Sequence, residues 1–150
     1  MNHLSILLLI PVLSIFAIGC TGVRPSDLGV KEGRLAPCPA SPNCVSSQSR
    51  EKEHAIEPIL FTGEVAKAHE ELERVIFGMK RSVIIAETDN YIHAEFTSAL
   101  FRFVDDVEFW FDEKGSQIHV RSASRLGYSD LGVNRKRVES IRSLWNERGK

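Results

Sequence analysis

The chain has 150 residues, of which 43% are apolar and 26% are charged, and its formal net charge is −1. This length and composition are typical of one soluble globular domain. The near-neutral charge gives no electrostatic reason to expect binding to nucleic acid or to an anionic membrane surface, so neither is predicted as a partner on this ground.

The N-terminal segment is apolar and ends at a cysteine. Residues 1–19 contain no Asp, Glu, Lys or Arg, and Pro11 interrupts the apolar run. A membrane-spanning helix needs about 20 apolar residues, whereas a shorter run is typical of a signal peptide. The sequence AIGC at 17–20 resembles a bacterial lipobox. That resemblance implies cleavage before Cys20 and attachment of a diacylglyceryl group to its thiol.

The lipobox resemblance implies a lipoprotein of the cell envelope. Several acyl chains, such as palmitate, anchor stably because each buried CH₂ contributes about 0.8 kcal/mol. Thr21, rather than Asp, follows the cysteine, which by analogy favours the periplasmic side of an outer membrane. The first residues lack Lys and Arg, which departs from a typical export signal. The alternative to the lipobox is an uncleaved N-terminal anchor helix. In both cases the membrane is a predicted partner.

Two further cysteines follow the anchor. Residues 20–36 hold the modified cysteine and then show no helical or strand period, so we predict a flexible tether there. Cys38 and Cys44 lie six positions apart with two prolines between them. In an oxidising compartment we expect a disulfide that closes a small loop. Reactive thiols and a metal site are alternatives, but a metal site usually needs two more ligands and the histidines are scattered. No metal or other cofactor is predicted.

A helix and a hairpin open the folded part of the chain. Apolar residues recur at helical spacing over about 64–80, and Thr62 is the expected cap. A tight turn at 89–90 between two runs of β-forming residues predicts a hairpin. Counting outward from that turn places Val83 opposite Phe96.

A second hairpin is the centre of the predicted sheet. With Lys114 and Gly115 as turn residues, counting predicts the pairs Phe111–Ile118, Phe109–Val120 and Val107–Ser122 on one face, and Trp110–His119, Glu108–Arg121 and Asp106–Ala123 on the other. The first face is the predicted core. Asp105 breaks the alternation of apolar residues, so we predict a bulge or a bend near 105–106.

The second face of this sheet is rich in polar side chains. It is predicted to carry His93, Glu95, Arg102, Asp106, Glu108, Trp110, His119 and Arg121. One interpretation is a solvated face with cross-strand ion pairs, which contribute about 0.2–1 kcal/mol each. The other is a binding surface in which Trp110 stacks against a ligand, with histidines and carboxylates available for acid–base work.

The last segment is a loop followed by a helix that begins at the predicted N-cap Asn134. The run of basic residues at 135–137 opposes the helix dipole. It is explained structurally if Arg125 or Arg135 pairs with Asp105, Asp106 or Asp130. It is explained functionally if an anion-binding site, here called the Ser122–Arg135 cluster, comprises Ser122, Ser124, Arg125, Tyr128, Asp130, Asn134 and Arg135. A catalytic serine at 122 or 124 needs a base, and His119 is predicted on the opposite face, so no catalytic residue is assigned.

Three segments carry a specific motif set. They are LAPCPASPNCVSS, YIHAEFTSALFRFVDDVEFWFD and VRSASRLGYSDLGVNRKRVESIR. Over about residues 35–145 the chain resembles a bacterial and plastid family called domain of unknown function 1499 (DUF1499). The resemblance implies a small α+β domain, often behind a signal peptide or membrane anchor. It implies no established activity and supplies no catalytic residues.

We therefore predict a single α+β domain at 37–150. Its expected architecture is a four-stranded antiparallel meander sheet with two helices packed on one face, preceded by a disulfide-closed loop. The predicted function is a non-catalytic binding or assembly module whose partner is an envelope protein. The alternative is a small enzyme or binding protein for an anionic envelope metabolite, using the Ser122–Arg135 cluster.

Overall fold

The computed structural model describes residues 21–148, so the predicted signal peptide and Cys20 lie outside the described residues. The elements in chain order are β1 (Cys44–Ser46), β2 (Ile59–Leu60), α1 (Val65–Phe77), β3 (Ser82–Thr88), β4 (Tyr91–Thr97), β5 (Val104–Asp112), β6 (Gln117–Ser124) and α2 (Val133–Arg148). Neither helix combines the length and the apolar character that crossing a bilayer requires.

The sheet contains the predicted meander and two more strands. Neighbouring strands run in the order β1-β6-β5-β4-β3, and β2 also pairs with β6. The predicted count of four was therefore too low. Both additional strands lie along the outer edge of β6, antiparallel to it. Strands of two or three residues are too short to show the alternation by which a strand is recognised in a sequence.

The register of the central hairpin is confirmed, and that of the first hairpin is confirmed in part. Phe109 faces Val120 and Trp110 faces His119, as predicted. In the first hairpin the predicted pairing holds near the turn, where Thr88 faces Tyr91. A bulge between Ile84 and Ala86 then shifts β3 by one residue, so that Ser82, not Val83, faces Phe96.

The bulge predicted near Asp105 is absent from the described strand β5. Asp105 is in register with Ser124 on β6 and with Phe96 on β4. The break in alternation arises earlier, because β5 begins only at Val104 and the preceding residues form a loop. Arg102 lies in that loop with φ +56°, so it does not lie on the sheet face to which the sequence assigned it.

Both helices pack on one face of the sheet, as predicted. Helix α1 buries the stripe Ala68, Leu72, Val75 and Ile76, and α2 buries Val138 and Ile141 in the same core. Helix α1 is shorter than predicted and begins after Glu64, without a side-chain cap from that residue. Beyond its C-terminal end, the Ser82 hydroxyl donates to the carbonyl of Ile76 in the last turn at 2.7 Å and to that of Met79, which follows the helix, at 2.9 Å.

The predicted disulfide between Cys38 and Cys44 is present, with the two Cα atoms 5.6 Å apart. Cys44 opens β1 and pairs with Ala123 near the end of β6. The disulfide therefore attaches the loop at 38–44 to the end of the sheet from which the β6–α2 loop departs.

Candidate functional site

The sheet face opposite the helices, here called the polar face, is buried. His93, Asp106, Glu108 and Arg121 are each at most 6% exposed. This contradicts the interpretation of a solvated face, because side chains at this level of burial make no extensive contact with water. Charged groups are rarely buried to this extent unless they are paired.

Residues 22–36, here called the N-terminal cover, account for much of this burial. We expected a flexible tether here, whereas the structure places the segment across the polar face. The backbone N–H of Gly29 donates to Glu108 Oε1 at 2.7 Å, and Arg24 Nε donates to Glu95 Oε1 at 2.9 Å. These contacts join residues more than 70 positions apart in the chain, which is why no local sequence pattern predicts them.

A tight turn brings the N-terminal cover against Trp110. Lys31 and Arg34 exchange backbone hydrogen bonds of 2.9 and 3.0 Å. Between them Glu32 and Gly33 both have positive φ, at 52° and 71°, as a type I′ turn requires. A Cβ added to Gly33 would lie 3.4 Å from the indole ring, an ordinary contact, so it is the positive φ that favours glycine here.

Trp110 is therefore not a free stacking platform. Its ring stacks on His119, with centroids 5.1 Å apart and an interplanar angle of 16°. Burial lowers the pKa of His119, which favours the neutral imidazole. The Nδ1 atom of that imidazole lies 3.2 Å from the Ser47 hydroxyl. The stacking position that one interpretation of this face reserved for a ligand is thus taken by a side chain of the same domain.

Glu108 is the centre of one group of buried contacts. Its carboxylate accepts hydrogen bonds from the Tyr91 hydroxyl at 2.8 Å and from Arg121 Nη1 at 3.3 Å, in addition to the Gly29 amide. Burial, and then the charge of Glu108, raise the pKa of Tyr91 far above its ordinary value. The phenol therefore stays protonated and continues to donate to the carboxylate.

Asp106 is the centre of the second group. Arg125 donates to both of its oxygens at 2.7 Å, in the bidentate geometry that makes such pairs strong. His93 Nε2 lies 2.8 Å from Oδ1. Burial by itself would raise the pKa of Asp106, but the hydrogen bonds from Arg125 and His93 outweigh it and hold that pKa below its usual value. Arg125 also pairs with Glu95.

The structure divides the predicted Ser122–Arg135 cluster between the two faces of the sheet. Arg125 lies on the polar face, and the Arg125–Asp106 pair confirms one of the structural pairings predicted for the basic residues. Ser122 and Ser124 face α2, on the side opposite His119, as predicted. Tyr128 lies in the β6–α2 loop and is exposed.

Asn134 joins the helix-side part of the cluster. It is fully buried and its side-chain oxygen accepts from the Ser122 hydroxyl at 2.5 Å and from Arg137 Nη1 at 2.7 Å. Its amide donates to Ser124 Oγ at 2.9 Å and to the Asn43 carbonyl at 3.0 Å. One side chain thus connects α2 to β6 and to the loop closed by the disulfide.

Asn134 is not the N-cap that the sequence predicted, because α2 already begins at Val133. Asp130 fills the capping role instead. Its carboxylate accepts from the backbone N–H of Gly132 at 2.9 Å and of Asn134 at 2.7 Å. An acidic group at this position also suits the helix dipole.

Two of the three basic residues at the start of α2 make contacts outside the helix, whereas Lys136 is exposed. Arg135 donates to the carbonyls of Ala55 and Glu53 at 2.7 and 2.8 Å. Arg137 pairs with Asp105 and lies over the ring of Phe96, 5.0 Å from its centroid. These tertiary contacts offset the unfavourable position of positive charge at a helix N-terminus.

A cavity of about 350 Å³ lies beside Arg125. It is lined by Pro25, Asp27, Pro37, Cys38, Pro39, Asp106, Arg121, Ala123, Ser124 and Arg125. Within residues 21–148, Arg121 Nε is one of two buried side-chain polar atoms that lack a hydrogen-bond partner. The sequence pairs Arg121 with Glu108 but gives no signal that its Nε atom is buried without a hydrogen-bond partner.

Within the described range, no three His, Cys, Asp or Glu side chains are grouped as ligands for a metal ion.

A protein-family model described as "Protein of unknown function (DUF1499)" matches residues 34–144, which is most of the chain. No curated protein matches the sequence of this chain.

Proposed function

Because the chain belongs to the DUF1499 family, whose description names no activity, we propose its role from its own residues: a lipid-anchored domain of the cell envelope that binds or assembles with another envelope component without catalysis. The observation that carries the proposal is the internal pairing of the polar face. Asp106 is held by Arg125 and Glu108 by Arg121 and Tyr91. Groups committed to such pairs stabilise a fold and its surfaces, whereas a general acid or base must exchange protons with a substrate.

The proposed location in the cell envelope is supported by the disulfide and by the predicted signal peptide. Disulfides persist in oxidising compartments such as the periplasm, and the Cys38–Cys44 bond closes the loop beside β1. The AIGC sequence at 17–20 supports attachment through Cys20. Thr21 supports sorting to the outer membrane, on its periplasmic side.

Acylation of Cys20 is tested by producing the full chain with labelled palmitate in a bacterium that has two membranes. We expect label in the wild type and none in Cys20→Ala, with the labelled protein in the outer-membrane fraction. The double variant Cys38→Ala/Cys44→Ala is the matched control, because it removes the other two thiols and should keep the label. An unlabelled wild type, or label that persists in Cys20→Ala, would contradict the proposal.

A second candidate function is favoured by the cavity beside Arg121 and Arg125. Arg121 and Arg125 line this cavity of about 350 Å³, and such a cavity suits a small anion, since Arg binds carboxylate and phosphate groups well. We propose as the alternative that this cavity holds an anionic envelope metabolite, either for binding alone or as the substrate of a small enzyme. Of the Ser122–Arg135 cluster, the Arg125 side chain would take part, and Ser124 also lines the cavity.

Anion binding is tested by NMR titration of the protein with inorganic phosphate. We expect saturable shifts of the amide resonances around the cavity, and about tenfold weaker binding, a loss of 1.4 kcal/mol, in Arg121→Gln. Arg74→Gln is the matched control, because Arg74 lies on the exposed side of α1, and it should bind as the wild type does. Shifts that do not saturate, or equal affinities in the two variants, would remove this alternative.

A further inference from the structure

One end of the sheet carries most of the large apolar side chains that the described residues expose. This end, here called the anchor end, is formed by the β4–β5 loop at 98–103 and the β6–α2 loop at 125–132. The two loops are adjacent, because Thr97 pairs with Val104 and the backbone N–H of Arg125 donates to the Val104 carbonyl at 3.2 Å.

The exposed apolar residues of the anchor end come from both loops and from the segments beside them. They are Val23, Leu100, Phe101, Phe103, Leu126, Tyr128, Leu131 and Val133, and they are between 39% and 88% exposed. Phe77 and Val83, also exposed, lie next to the start of β3 at the same end of the sheet. Of the exposed large apolar residues at 21–148, Leu60 lies at the opposite end, where it pairs with Gln117.

The beginning of the described chain lies at this same end. A Cβ added to Gly22 would be 2.8 Å from Arg125 Cβ and 3.1 Å from Leu126 Cγ, so Gly22 packs directly on the β6–α2 loop. Cys20 precedes Gly22 by two residues, and two residues span at most about 7 Å. Acyl chains on Cys20 would therefore enter the bilayer close to the β6–α2 loop, against which Gly22 packs.

We propose that the anchor end lies in the surface of the bilayer that holds Cys20, with the side chains of its two loops among the lipid head groups and upper acyl chains. This inference rests on the acylation of Cys20 proposed above. Phe and Tyr side chains are suited to this depth, and burial of apolar area supplies the free energy. Because the lipid keeps the loops at the surface, even a weak contact is formed at high effective concentration.

The short connection favours lipid over a protein as the occupant of this surface. A linker of one residue, Thr21, leaves no room for another folded protein between the anchor end and the bilayer. The near-neutral chain, with a formal net charge of −1, also predicts a contact that depends little on salt, because apolar burial is not screened by ions. The domain would then stand with its other end, which carries the turns at 89–90 and 113–116, directed away from the membrane.

The orientation is tested with tryptophan reporters in the full acylated chain, reconstituted into phosphatidylcholine vesicles whose acyl chains carry bromine. We expect the bromine to quench the added fluorescence of Phe101→Trp and of Tyr128→Trp, one reporter in each loop. Leu60→Trp at the opposite end is the matched control and should not be quenched. The native Trp110 and Trp145 provide a common background, since Trp110 lies under the N-terminal cover and Trp145 donates to the Leu60 carbonyl.

Palmitate labelling of the same preparations separates the two proposals. A labelled protein in which both loop reporters are quenched and Leu60→Trp is not supports the inference. A labelled protein with unquenched loop reporters, or with equal quenching at all three positions, overturns the inference and leaves the anchor intact. Loop reporters whose emission shifts to the blue only as protein concentration rises would show a second copy as the occupant and also overturn it. An unlabelled protein overturns both proposals.

Discussion

Replacement of Arg125 by alanine is expected to lower the free energy of unfolding by about 3–5 kcal/mol, because it leaves a buried charge without its partner. Asp106 is 1% exposed and receives two hydrogen bonds from Arg125. Glu95 would lose the same cation, although Arg24 still reaches it. The measurement is urea unfolding of the wild type and the variant at pH 7, followed by far-ultraviolet circular dichroism.

The matched control for this prediction is Arg74→Ala on the exposed side of α1. Arg74 pairs with Glu70 and Glu71 at helical spacing, and exposed pairs of this kind contribute at most about 1 kcal/mol. A loss in Arg125→Ala no larger than the loss in Arg74→Ala would show that the pairs of the polar face do not stabilise the fold.

The loss in unfolding free energy caused by Arg125→Ala should become smaller at acidic pH. The native pKa of Asp106 is lower than its unfolded value, which is about 3.9 for an unperturbed aspartate. A carboxylate shifted in this direction stabilises the fold above its unfolded pKa, and the contribution is lost as the pH falls towards the native pKa. The difference in unfolding free energy between the two proteins should therefore narrow below about pH 3.9.

The second large effect is expected for Asn134→Ala, which should lower the free energy of unfolding by about 3 kcal/mol. The substitution removes the acceptor of the Ser122 hydroxyl, the donor to Ser124 Oγ and one of the two donors to the Asn43 carbonyl in a buried site, and each unsatisfied buried group costs about 1–3 kcal/mol. Alanine has a higher helix propensity than asparagine, and this difference offsets a small part of the lost stability. The same urea titration measures it.

Asn146→Ala is the control, since it makes the same change at an exposed position of the same helix. It should be neutral or slightly stabilising, because only helix propensity changes. Equal effects of the two substitutions on the free energy of unfolding would show that the hydrogen bonds of Asn134 add no stability beyond helix propensity. That result would contradict the conclusion that Asn134 connects α2 to β6.

The central hairpin could be predicted from the sequence because its determinants are local. Alternating aromatic and charged residues on both sides of a turn at 114–115 leave one register that buries Phe109 and Val120 together. The register of the first hairpin was predicted correctly only between its turn and the bulge in β3, since nothing in the residues around Ile85 indicates an extra residue. The two edge strands were missed because their pairing with β6 is decided by the long-range position of the loops that carry them.

The candidate site was harder to predict than the sheet. The contacts of Arg125 with Asp106 follow from strand register, and that pairing was among those expected. The burial of the polar face depends on single polar contacts from the N-terminal cover, such as Gly29 with Glu108. A segment without periodicity gives no sign of such contacts, so the cavity beside Arg121 could not be predicted from the sequence.

The bulge in β3 has a consequence for the behaviour of many copies on one membrane. β3 is the edge strand at one side of the sheet, and unpaired backbone groups of an edge strand can template the addition of a strand from a neighbouring molecule. The extra residue between Ile84 and Ala86 interrupts the regular spacing of those groups and twists the edge locally. Crowded copies are thereby protected from joining edge to edge into aggregates.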